Sequence, residues 1–588
     1  MYYKKKKCHD AIFDYIIIGA GTAGGVIAKK LTDDEYTSVL VLEEGINSTE
    51  QLSSASVLEA INFHSDNKFA SNLISRLEVP LGRQLLGVNG RVIGGSSEVN
   101  EMYAVRGSRE LYNEWADRSN EPKWRYDQVS PLFVENETYT GLTQNEAERG
   151  RNGPIFFRQQ HIPSSGLIQS LTDATAKVLN INNVEDYNTG VRDCTFYKSQ
   201  FIQKEDGDTI TRSSTATGYL NENIVTQGDE FNSDEFGVGN RKLTIFAKTT
   251  VNKILFKKKY SEMIAAGVEY VKNGVCEKAF ARKGVIVSAG FSSSVILQRS
   301  GIGKDEDLIN AGITPLIDNK NVGHNLQTQA YASLGVEVET LQILPIVVAD
   351  INQPIILGAF MAENVDSKEG RRLQILGAPA PLFIPSSDVG SNGWELDLEK
   401  KTINIMSFAI LDLNPRSKGT IMASHSNPEA LPSFLFNPLQ EETNDLDFLI
   451  DQYINMYNII QKAKLTNGGI KKVVYPPEEI FKIEDLADKR KQLGNYVRGS
   501  YTNFFHYGGQ CRMADTIESG VVKGNLDVFG TKNLKVADLS IAPLLPDGNT
   551  ATAVQMIGLN AVQFIQNDTD NYVLDFEDFE EFYDDLDD

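Results

Sequence analysis

The sequence is short of several residue types, and each shortage excludes a class of protein. Its 588 residues contain four scattered cysteines, too few for a disulfide framework or a cysteine zinc site. No apolar run reaches the roughly 18 residues that a membrane-spanning helix needs. The most apolar long stretch, LQILPIVVADINQPIILGAF, is interrupted by Asp350, Asn352 and two prolines. We therefore expect neither a metal site nor a membrane span.

Positive charge is also scarce. The 57 lysines and arginines are outnumbered by 79 aspartates and glutamates, which gives a formal net charge of −22. A surface of that sign repels phosphate backbones, so a nucleic-acid partner is not expected. The basic run Lys4 to Lys7 is the exception, and it fits either a solvated arm or a nucleic-acid or targeting element. No apolar segment of signal-peptide length accompanies it, so we expect an intracellular protein.

The first motif is a strand, a glycine turn, a helix and a second strand, read from FDYIIIG, AGTAGG, VIAKKL and SVLVLEEG. In the turn, which includes Thr22, Gly19 permits the tight bend and Gly21 lets the backbone approach a pyrophosphate. Gly24 lets the helix pack closely on the strand. Glu43 ends the second strand, where a carboxylate can accept hydrogen bonds from a ribose. The unit predicts a dinucleotide site and leaves NAD and FAD open.

Later segments predict that the nucleotide domain is discontinuous. TTVNKILF, AAGVEYV, GVIVSAG and NLKVADLSIAP have the patterns of further strands of the same sheet, whereas TINIMSFAIL and GTIMASH alternate like antiparallel strands. The expected fold is α/β plus α+β, a Rossmann-like domain with a second domain on a mainly antiparallel sheet. We assign residues 10–160, 212–332 and 494–570 to the first domain, with a surface insertion at 220–241, and residues 161–211 and 333–493 to the second.

Residues 571–588 form an acidic C-terminal tail. Phe576, Phe579, Phe582 and Leu586 recur in it at spacings of three and four, which would place them on one face of a helix. The tail is therefore either an amphipathic helix docked on this or a neighbouring chain, or a disordered acidic segment.

Four further segments resemble, in their order along the chain, the glucose-methanol-choline (GMC) family of FAD-dependent oxidoreductases. They are GRVIGGSSEVN, SAGFSSSVILQRSGIG, TTVNKILF, and the late pair of blocks NFFHYGGQCRMA and NLKVADLSIAPLLPDGNTATAVQMIG. The second segment departs from the family pattern because a proline is missing and its helix start is one residue shorter. Tyr507 and Gln510 also replace a proline and a threonine that are common in the family.

The resemblance implies FAD as the cofactor. It assigns Arg91, Gly94, Gly95 and Ser96 to a loop around the pyrophosphate. It places the Asn100 amide near the isoalloxazine ring and a backbone group of Val251 against the adenine. Asp538 lies in the loop that runs beside the flavin in relatives. Some family members attach FAD through a histidine just before the signature asparagine. This chain has Val99 there, so the flavin should be bound non-covalently.

The resemblance also places His506 and Asn549 at the two catalytic positions. Oxidising an alcohol to an aldehyde or ketone removes a hydride from carbon, which the flavin N5 accepts, and a proton from oxygen, which the protein must accept. We expect His506 to be that base, since histidine titrates nearest neutrality. Asn549 can donate a hydrogen bond to the developing alkoxide. The other five histidines have no chemical partner in a motif: His9 lies in the basic arm, His64, His161 and His425 stand in polar surroundings, and His324 sits in the loop VGHNLQ.

Substrate and electron acceptor stay open. Phe504, Phe505 and Tyr507 flank His506 and favour an aryl or otherwise apolar alcohol over a sugar. The electrons could pass to oxygen or to a quinone-like carrier. An NAD-linked dehydrogenase would not account for the downstream segments.

A different class of function is also compatible with the sequence. A structural or assembly protein could keep the FAD-binding fold, since the Lys-, Asn-, Ile- and Asp-rich composition of the chain loosely resembles that of giant-virus members of the family. A virion location and a homodimer or larger assembly would then follow.

Overall fold

The structure is a computed structural model that describes residues 12–579, except for 48–49, 164, 229–232, 260, 351–352, 363–369, 381–403, 570 and 576. Its strands are β1 (Ile12–Ile18), β2 (Val39–Leu42), β3 (Ala70–Ile74), β4 (Leu86–Gly90), β5 (Glu137–Tyr139), β6 (Ile155–Gln159), β7 (Asn182–Asn183), β8 (Cys194–Tyr197), β9 (Gln200–Phe201), β10 (Gln203–Asp206), β11 (Thr209–Arg212), β12 (Glu235–Phe236), β13 (Leu243–Phe246), β14 (Thr249–Lys259), β15 (Glu262–Lys272), β16 (Val275–Val287), β17 (Ile302–Gly303), β18 (Ile317–Asp318), β19 (His324–Val338), β20 (Leu357–Ala362), β21 (Arg372–Ala378), β22 (Ile405–Asp412), β23 (Gly419–Met422), β24 (Ser433–Leu435), β25 (Ile470–Tyr475), β26 (Thr502–Gly508), β27 (Thr531–Lys532) and β28 (Leu534–Val536).

The helices alternate with these strands. They are α1 (Gly24–Leu31), α2 (Val57–Ser65), α3 (Ser96–Val99), α4 (Arg109–Ser119), α5 (Tyr126–Asn136), α6 (Gly166–Leu179), α7 (Thr215–Tyr219), α8 (Ser293–Arg299), α9 (Asp305–Asn310), α10 (Thr340–Ala349), α11 (Asp445–Thr466), α12 (Glu478–Phe481), α13 (Leu486–Ser500) and α14 (Ala551–Gln566). Within the described ranges, none of them is both long and apolar enough to cross a bilayer.

The first sheet is Rossmann-like and has the order β12-β13-β2-β1-β16-β15-β14, with β28 beside β16 and β27 beside β15. Strands β13, β2, β1, β16 and β28 run parallel, while β14, β15 and β16 form an antiparallel meander. The predicted strand–turn–helix–strand unit is confirmed as β1, α1 and β2. Because parallel strands end at one edge of a sheet, the loops that follow β1, β2, β16 and β28 converge there.

The second sheet is mainly antiparallel, as predicted, with the order β24-β23-β19-β22-β21-β20-β8-β7 and with β25 and β26 beside β19. The long helix α11 packs against β22 and against α6 and α13. Each sheet has its own large hydrophobic cluster.

Two segments differ from the predicted boundaries. Strand β19 begins at His324, which we had placed in a loop, and runs through the boundary predicted at residue 332. Strand β26, which carries His506, was assigned to the nucleotide domain but pairs with β19. The physical reason is that both strands bury polar side chains, such as Gln327 in β19 and Asn503 in β26, so their alternation does not stand out in the sequence.

The predicted surface insertion at 220–241 is partly built into the first sheet. Strand β12 pairs with β13 at the sheet edge, and Val225 and Glu235 are buried. In the tail, residues 577–579 form a 3-10 turn in which Phe579 is buried, its ring 5.2 Å from that of Phe280. Phe576, Phe582 and Leu586, which carried the predicted amphipathic helix, lie outside the described residues.

Candidate active site

A cavity of about 510 Å³ lies between the two sheets. Most of the residues predicted for the cofactor and the reaction line it together: Gly19, Gly21, Thr22, Glu43, Arg91, Gly95, Ser96, Asn100, Val251, His506, Asp538 and Asn549. They come from segments that are far apart in the sequence. The structure therefore brings the two glycine-rich loops and the two late blocks to one site.

Two glycines let the loops approach each other. Gly19 has φ +99°, and a Cβ on it would lie 2.6 Å from the carbonyl oxygen of Ser288. Gly95 has φ +57°, and a Cβ there would lie 2.7 Å from the Cα of Gly21. Only glycine satisfies both the backbone angle and the space. The loops thus expose backbone to the cavity without intervening side chains, which fits the diphosphate of FAD.

Gly24 and Gly94 do not line the cavity. They support the two glycine loops, which together form a backbone cradle, from behind. A Cβ on Gly24 would lie 2.0 Å from the carbonyl oxygen of Gly19, so close packing of α1 on the turn requires glycine. The backbone N–H of Gly94 donates to the carbonyl of Ala20 at 2.8 Å and joins the two loops.

Two buried carboxylates close the sheet edge. Glu43 accepts the backbone N–H groups of Ala20 at 2.9 Å and Gly45 at 2.8 Å, and burial raises its pKa to about 7. Asp538 accepts the backbone N–H of Gly290 at 2.8 Å and the Ser293 hydroxyl at 2.5 Å, and burial raises its pKa as well. Each carboxylate oxygen has two lone pairs, so both groups keep acceptor capacity for a ligand hydroxyl or N–H.

Two arginines lie near the predicted cofactor positions: Arg91 in the loop assigned to the pyrophosphate, and Arg299 beside Val251, which is assigned to the adenine. The Nε of Arg91 lies 3.2 Å from a carboxylate oxygen of Glu44, and both side chains are about half exposed. Arg299 donates to the carbonyl oxygen of Val251 at 3.4 Å, and both residues line the cavity. The backbone group assigned to the adenine therefore already has one partner within the protein.

Asn100 is held by a buried cation. Its side-chain oxygen accepts the Nη1–H of Arg212 at 2.7 Å and the backbone N–H of Met102 at 3.1 Å. The amide oxygen is thereby committed to the protein, which leaves the amide N–H group as the donor available to a ligand. Ser96 caps the same loop by accepting the backbone N–H of Gly90 at 3.1 Å.

A bulge in β26 positions His506. Tyr507 pairs with Thr328 and Asn503 with Ala330, so residues 504–506 of β26 stand opposite Gln329 alone. Within the bulge Phe505 has φ +57°, a conformation that costs a non-glycine residue on the order of 1 kcal/mol. Bulges of this kind turn a side chain away from the regular pleat, and here they direct His506 towards the cavity.

The hydrogen bonds of Gln329 fix the tautomer of His506. The amide nitrogen of Gln329 donates to the carbonyl oxygens of Pro546 at 2.7 Å and Leu413 at 3.3 Å. Its oxygen therefore faces Nδ1 of His506, 2.6 Å away, and Nδ1 must carry the proton. Burial lowers the pKa of His506 to about 3, so the ring is neutral near pH 7. The lone pair that can accept a proton is then on Nε2.

Asn549 follows a loop that is anchored at several points. Asp547 accepts a hydrogen bond from Ser108 and lies 3.2 Å from the Arg372 guanidinium. The side-chain oxygen of Asn549 accepts the amide N–H of Gln374 at 3.4 Å. Because that oxygen is occupied, the amide nitrogen of Asn549 is the group that can donate to a ligand.

Sequence reasoning missed four residues of the site. Gln329 and Gln374 are ordinary glutamines on strands, and no local pattern marks them. His64 was set aside as a histidine in polar surroundings, but it lies half-buried in the cavity wall, where its Nε2 donates to the carbonyl of Val99 at 2.9 Å. Glu101 also lines the cavity, and its position directly after Asn100 was a signal that could have identified it.

Comparison with known proteins agrees with this geometry. The family model described as GMC oxidoreductase matches residues 13–331 in its N-terminal part and residues 415–558 in its C-terminal part. The chain is 27% identical to an oxygen-dependent choline dehydrogenase from Chromohalobacter salexigens, over 91% of this chain and 92% of that protein. It is 25% identical to one from Staphylococcus aureus, over 94% and 93% respectively.

Solved structures share the fold across nearly the whole chain. Pyridoxine 4-oxidase from Mesorbium loti superposes with a TM-score of 0.74 at 22% identity, covering 94% of this chain and 98% of that one. A formate oxidase from Aspergillus oryzae RIB40 gives 0.76 at 20% identity, covering 95% and 98%. Since both halves of the family pattern match in order, this chain belongs to the GMC oxidoreductase family and is an FAD-dependent oxidoreductase.

Proposed function

We propose that the protein oxidises an alcohol to an aldehyde or ketone with His506 as the proton acceptor and Asn549 as a hydrogen-bond donor to the substrate oxygen. The observation that carries this proposal is the shared cavity: a neutral imidazole with a free Nε2 and an amide donor line the same space as the two glycine loops.

The glycine loops, Glu43 and Asp538 would hold FAD, and Asn100 would donate its amide N–H to the cofactor. When bound, FAD supplies the hydride acceptor for the carbon–hydrogen bond of the substrate. We propose that it is held without a covalent bond, since Val99 is a buried apolar residue at the position used for attachment in some relatives. Acid precipitation should then release the yellow cofactor into the supernatant.

The protein's part of the reaction is to accept the hydroxyl proton. Nε2 of His506 takes the proton as negative charge develops on the substrate oxygen, and that charge raises the pKa of the imidazole from its low resting value. The imidazolium keeps its Nδ1–H bond to Gln329, so the ring does not rotate. The amide of Asn549 stabilises the developing alkoxide.

We propose molecular oxygen as the electron acceptor, with a quinone-like carrier as the alternative. The support is that both bacterial relatives are named as oxygen-dependent enzymes. Catalase-suppressible peroxide formation would identify oxygen, whereas turnover only with an added quinone would identify a carrier.

The test of the function is anaerobic titration of the flavin-bound protein with primary alcohols, aryl alcohols, a sugar and choline. At least one alcohol should bleach the oxidised flavin spectrum with one equivalent of aldehyde formed per flavin. A flavin spectrum that no alcohol reduces would refute the proposed reaction.

A further inference from the structure

The bulge of β26 that carries His506 is closed by two side chains of the same strand. The side-chain oxygen of Asn503 accepts the backbone N–H of Phe505 at 3.0 Å. The same oxygen accepts a hydrogen bond from the hydroxyl of Tyr507 at 3.2 Å. A residue in the left-handed region, such as Phe505 at φ +57°, keeps that conformation only where its surroundings hold it there. Asn503 and Tyr507, which stand at the two ends of the bulge, form what we call the bulge clamp.

The bulge clamp also joins the bulge to β4. The amide nitrogen of Asn503 donates to the carbonyl oxygen of Leu86 at 2.8 Å. The hydroxyl of Tyr507 accepts the backbone N–H of Val88 at 3.1 Å. Strand β4 ends at Gly90, where the loop assigned to the pyrophosphate begins. The bulge and the start of the cofactor loop are therefore parts of one hydrogen-bonded unit.

A third contact reaches the far end of the cofactor loop. The ring of His64 packs edge-on against that of Phe505, with centroids 5.5 Å apart. Nε2 of His64 donates to the carbonyl oxygen of Val99 at 2.9 Å, directly before Asn100. Both ends of the loop thus contact the bulge. These contacts fix the distance between His506 and the residues that would hold the flavin.

The ring of Tyr507 is held separately from its hydroxyl. It stacks on Phe436 with centroids 5.3 Å apart and packs against Phe291 at 4.9 Å. The hydroxyl uses its proton and one lone pair within the protein, so its effect on the reaction is indirect. The proline that is common at this position in the family has no hydroxyl and could not form the bulge clamp.

We propose that Tyr507 is a positioning residue for His506. Its hydroxyl, together with the Asn503 amide, holds the bulge against β4 and keeps Nε2 of His506 within reach of the substrate hydroxyl. Proton transfer requires a hydrogen-bonded distance between base and substrate, so a small shift of the bulge slows the reaction. The inference rests on the proposed alcohol oxidation and adds a residue that acts on it through His506.

The test is anaerobic stopped-flow reduction of flavin-loaded Tyr507→Phe over a range of concentrations of the best alcohol. The limiting rate of flavin reduction should fall roughly 10- to 100-fold, the effect of misplacing a base by about 1 Å. The half-saturating alcohol concentration should change by less than about threefold, because the hydroxyl holds the base and not the substrate. A limiting rate equal to that of the wild type would overturn the proposal. So would a change confined to the half-saturating concentration, which would identify the hydroxyl as a substrate contact.

Tyr453→Phe is the matched control. Tyr453 is also a buried tyrosine, and its hydroxyl donates to the carbonyl oxygen of Ser333 at 2.9 Å, but it does not line the cavity. Both variants lose one buried hydroxyl and should lose similar thermal stability. Only Tyr507→Phe should reduce its flavin slowly. An equal slowing in both variants would mean that general loosening of the second sheet, and not the bulge clamp, controls the rate.

A double variant tests whether the two side chains act together. Asn503→Leu removes the acceptor that Phe505 and Tyr507 share. If the bulge clamp is one unit, Asn503→Leu combined with Tyr507→Phe should be no more than about threefold slower than Asn503→Leu alone. A slowing equal to the product of the two single effects would show independent roles and would contradict the proposal.

Amide hydrogen exchange gives a readout that does not depend on turnover. In the flavin-loaded protein, the amides of Phe505 and Val88 should exchange at least about tenfold faster in Tyr507→Phe than in the wild type or in Tyr453→Phe. Unchanged protection of both amides would refute the bulge clamp. If no alcohol reduces the flavin of the wild type, the proposed reaction fails, and the exchange rates still decide whether the Tyr507 hydroxyl holds the bulge.

Discussion

The two sheets contribute to the cavity in different ways. The first sheet offers backbone: glycine loops, N–H groups and two carboxylates that are tied to them. The second sheet contributes side chains: Gln329 on β19 and Gln374 on β21 form hydrogen bonds with His506 and Asn549. The half of the cavity made of backbone depends on glycines, whose missing side chains leave room for a ligand. The half made of side chains depends on residues that form hydrogen bonds. Substitutions should therefore harm the two halves by different routes.

The largest expected effect is in the backbone half. Gly95→Ala forces a Cβ to within 2.7 Å of Gly21 where the two loops meet, so we expect loss of FAD binding. The ratio of flavin to protein absorbance after purification measures it. Gly207→Ala is the matched control, because Gly207 has φ +59° with nothing within 4 Å of its Cβ position. That variant should lose about 1 kcal/mol of stability and keep its flavin.

A smaller effect is expected in the side-chain half. Gln329→Leu leaves Nδ1 of His506 without its acceptor and frees the ring to rotate, so the rate of flavin reduction should fall roughly 10- to 100-fold with FAD still bound. Stopped-flow absorbance measures the rate. Gln329→Glu should restore the acceptor but raise the pKa of His506, so activity should disappear as the pH falls through the raised value. An unchanged rate in Gln329→Leu would remove this glutamine from the mechanism.

The pH dependence of flavin reduction should report the protonation state of His506. The pKa of His506 is lowered to about 3, so the imidazole stays a proton acceptor and reduction by an uncharged alcohol should be flat from about pH 8 to about pH 5. The profile of kcat/KM against pH for an uncharged alcohol measures it, and a loss of flavin reduction between about pH 8 and about pH 5 that follows protonation of the ring would contradict the low pKa of His506.

The smallest expected effect is at the rim of the backbone half. Arg91→Ala removes an ion pair with Glu44 in which both side chains are about half exposed, so the loss of stability should stay below about 1 kcal/mol. FAD affinity, followed by fluorescence quenching, should fall by less than about tenfold, since the cradle itself is made of backbone. A complete loss of FAD in Arg91→Ala would show that this cradle needs the charged side chain.

The difference between the two halves also explains what the sequence could predict. Gly19, Gly21 and Glu43 could be predicted as parts of the cofactor site because all three lie in one short βαβ unit with a recognisable spacing. His506 and Asn549 were found only through the resemblance of their blocks to a family. Gln329 could not be predicted, since its role arises from a bulge in β26 that pairs residues 177 positions apart. For the same reason the boundary predicted at residue 332 missed the continuous strand β19.

The most direct test of the central claim is anaerobic stopped-flow reduction of His506→Ala beside His161→Ala, whose histidine is exposed and outside the cavity. Both variants should purify with FAD. Reduction by the best alcohol should be slowed about 10²- to 10⁴-fold in His506→Ala and unchanged in His161→Ala. Flavin reduction at the wild-type rate in His506→Ala would show that another group accepts the proton and would contradict the account.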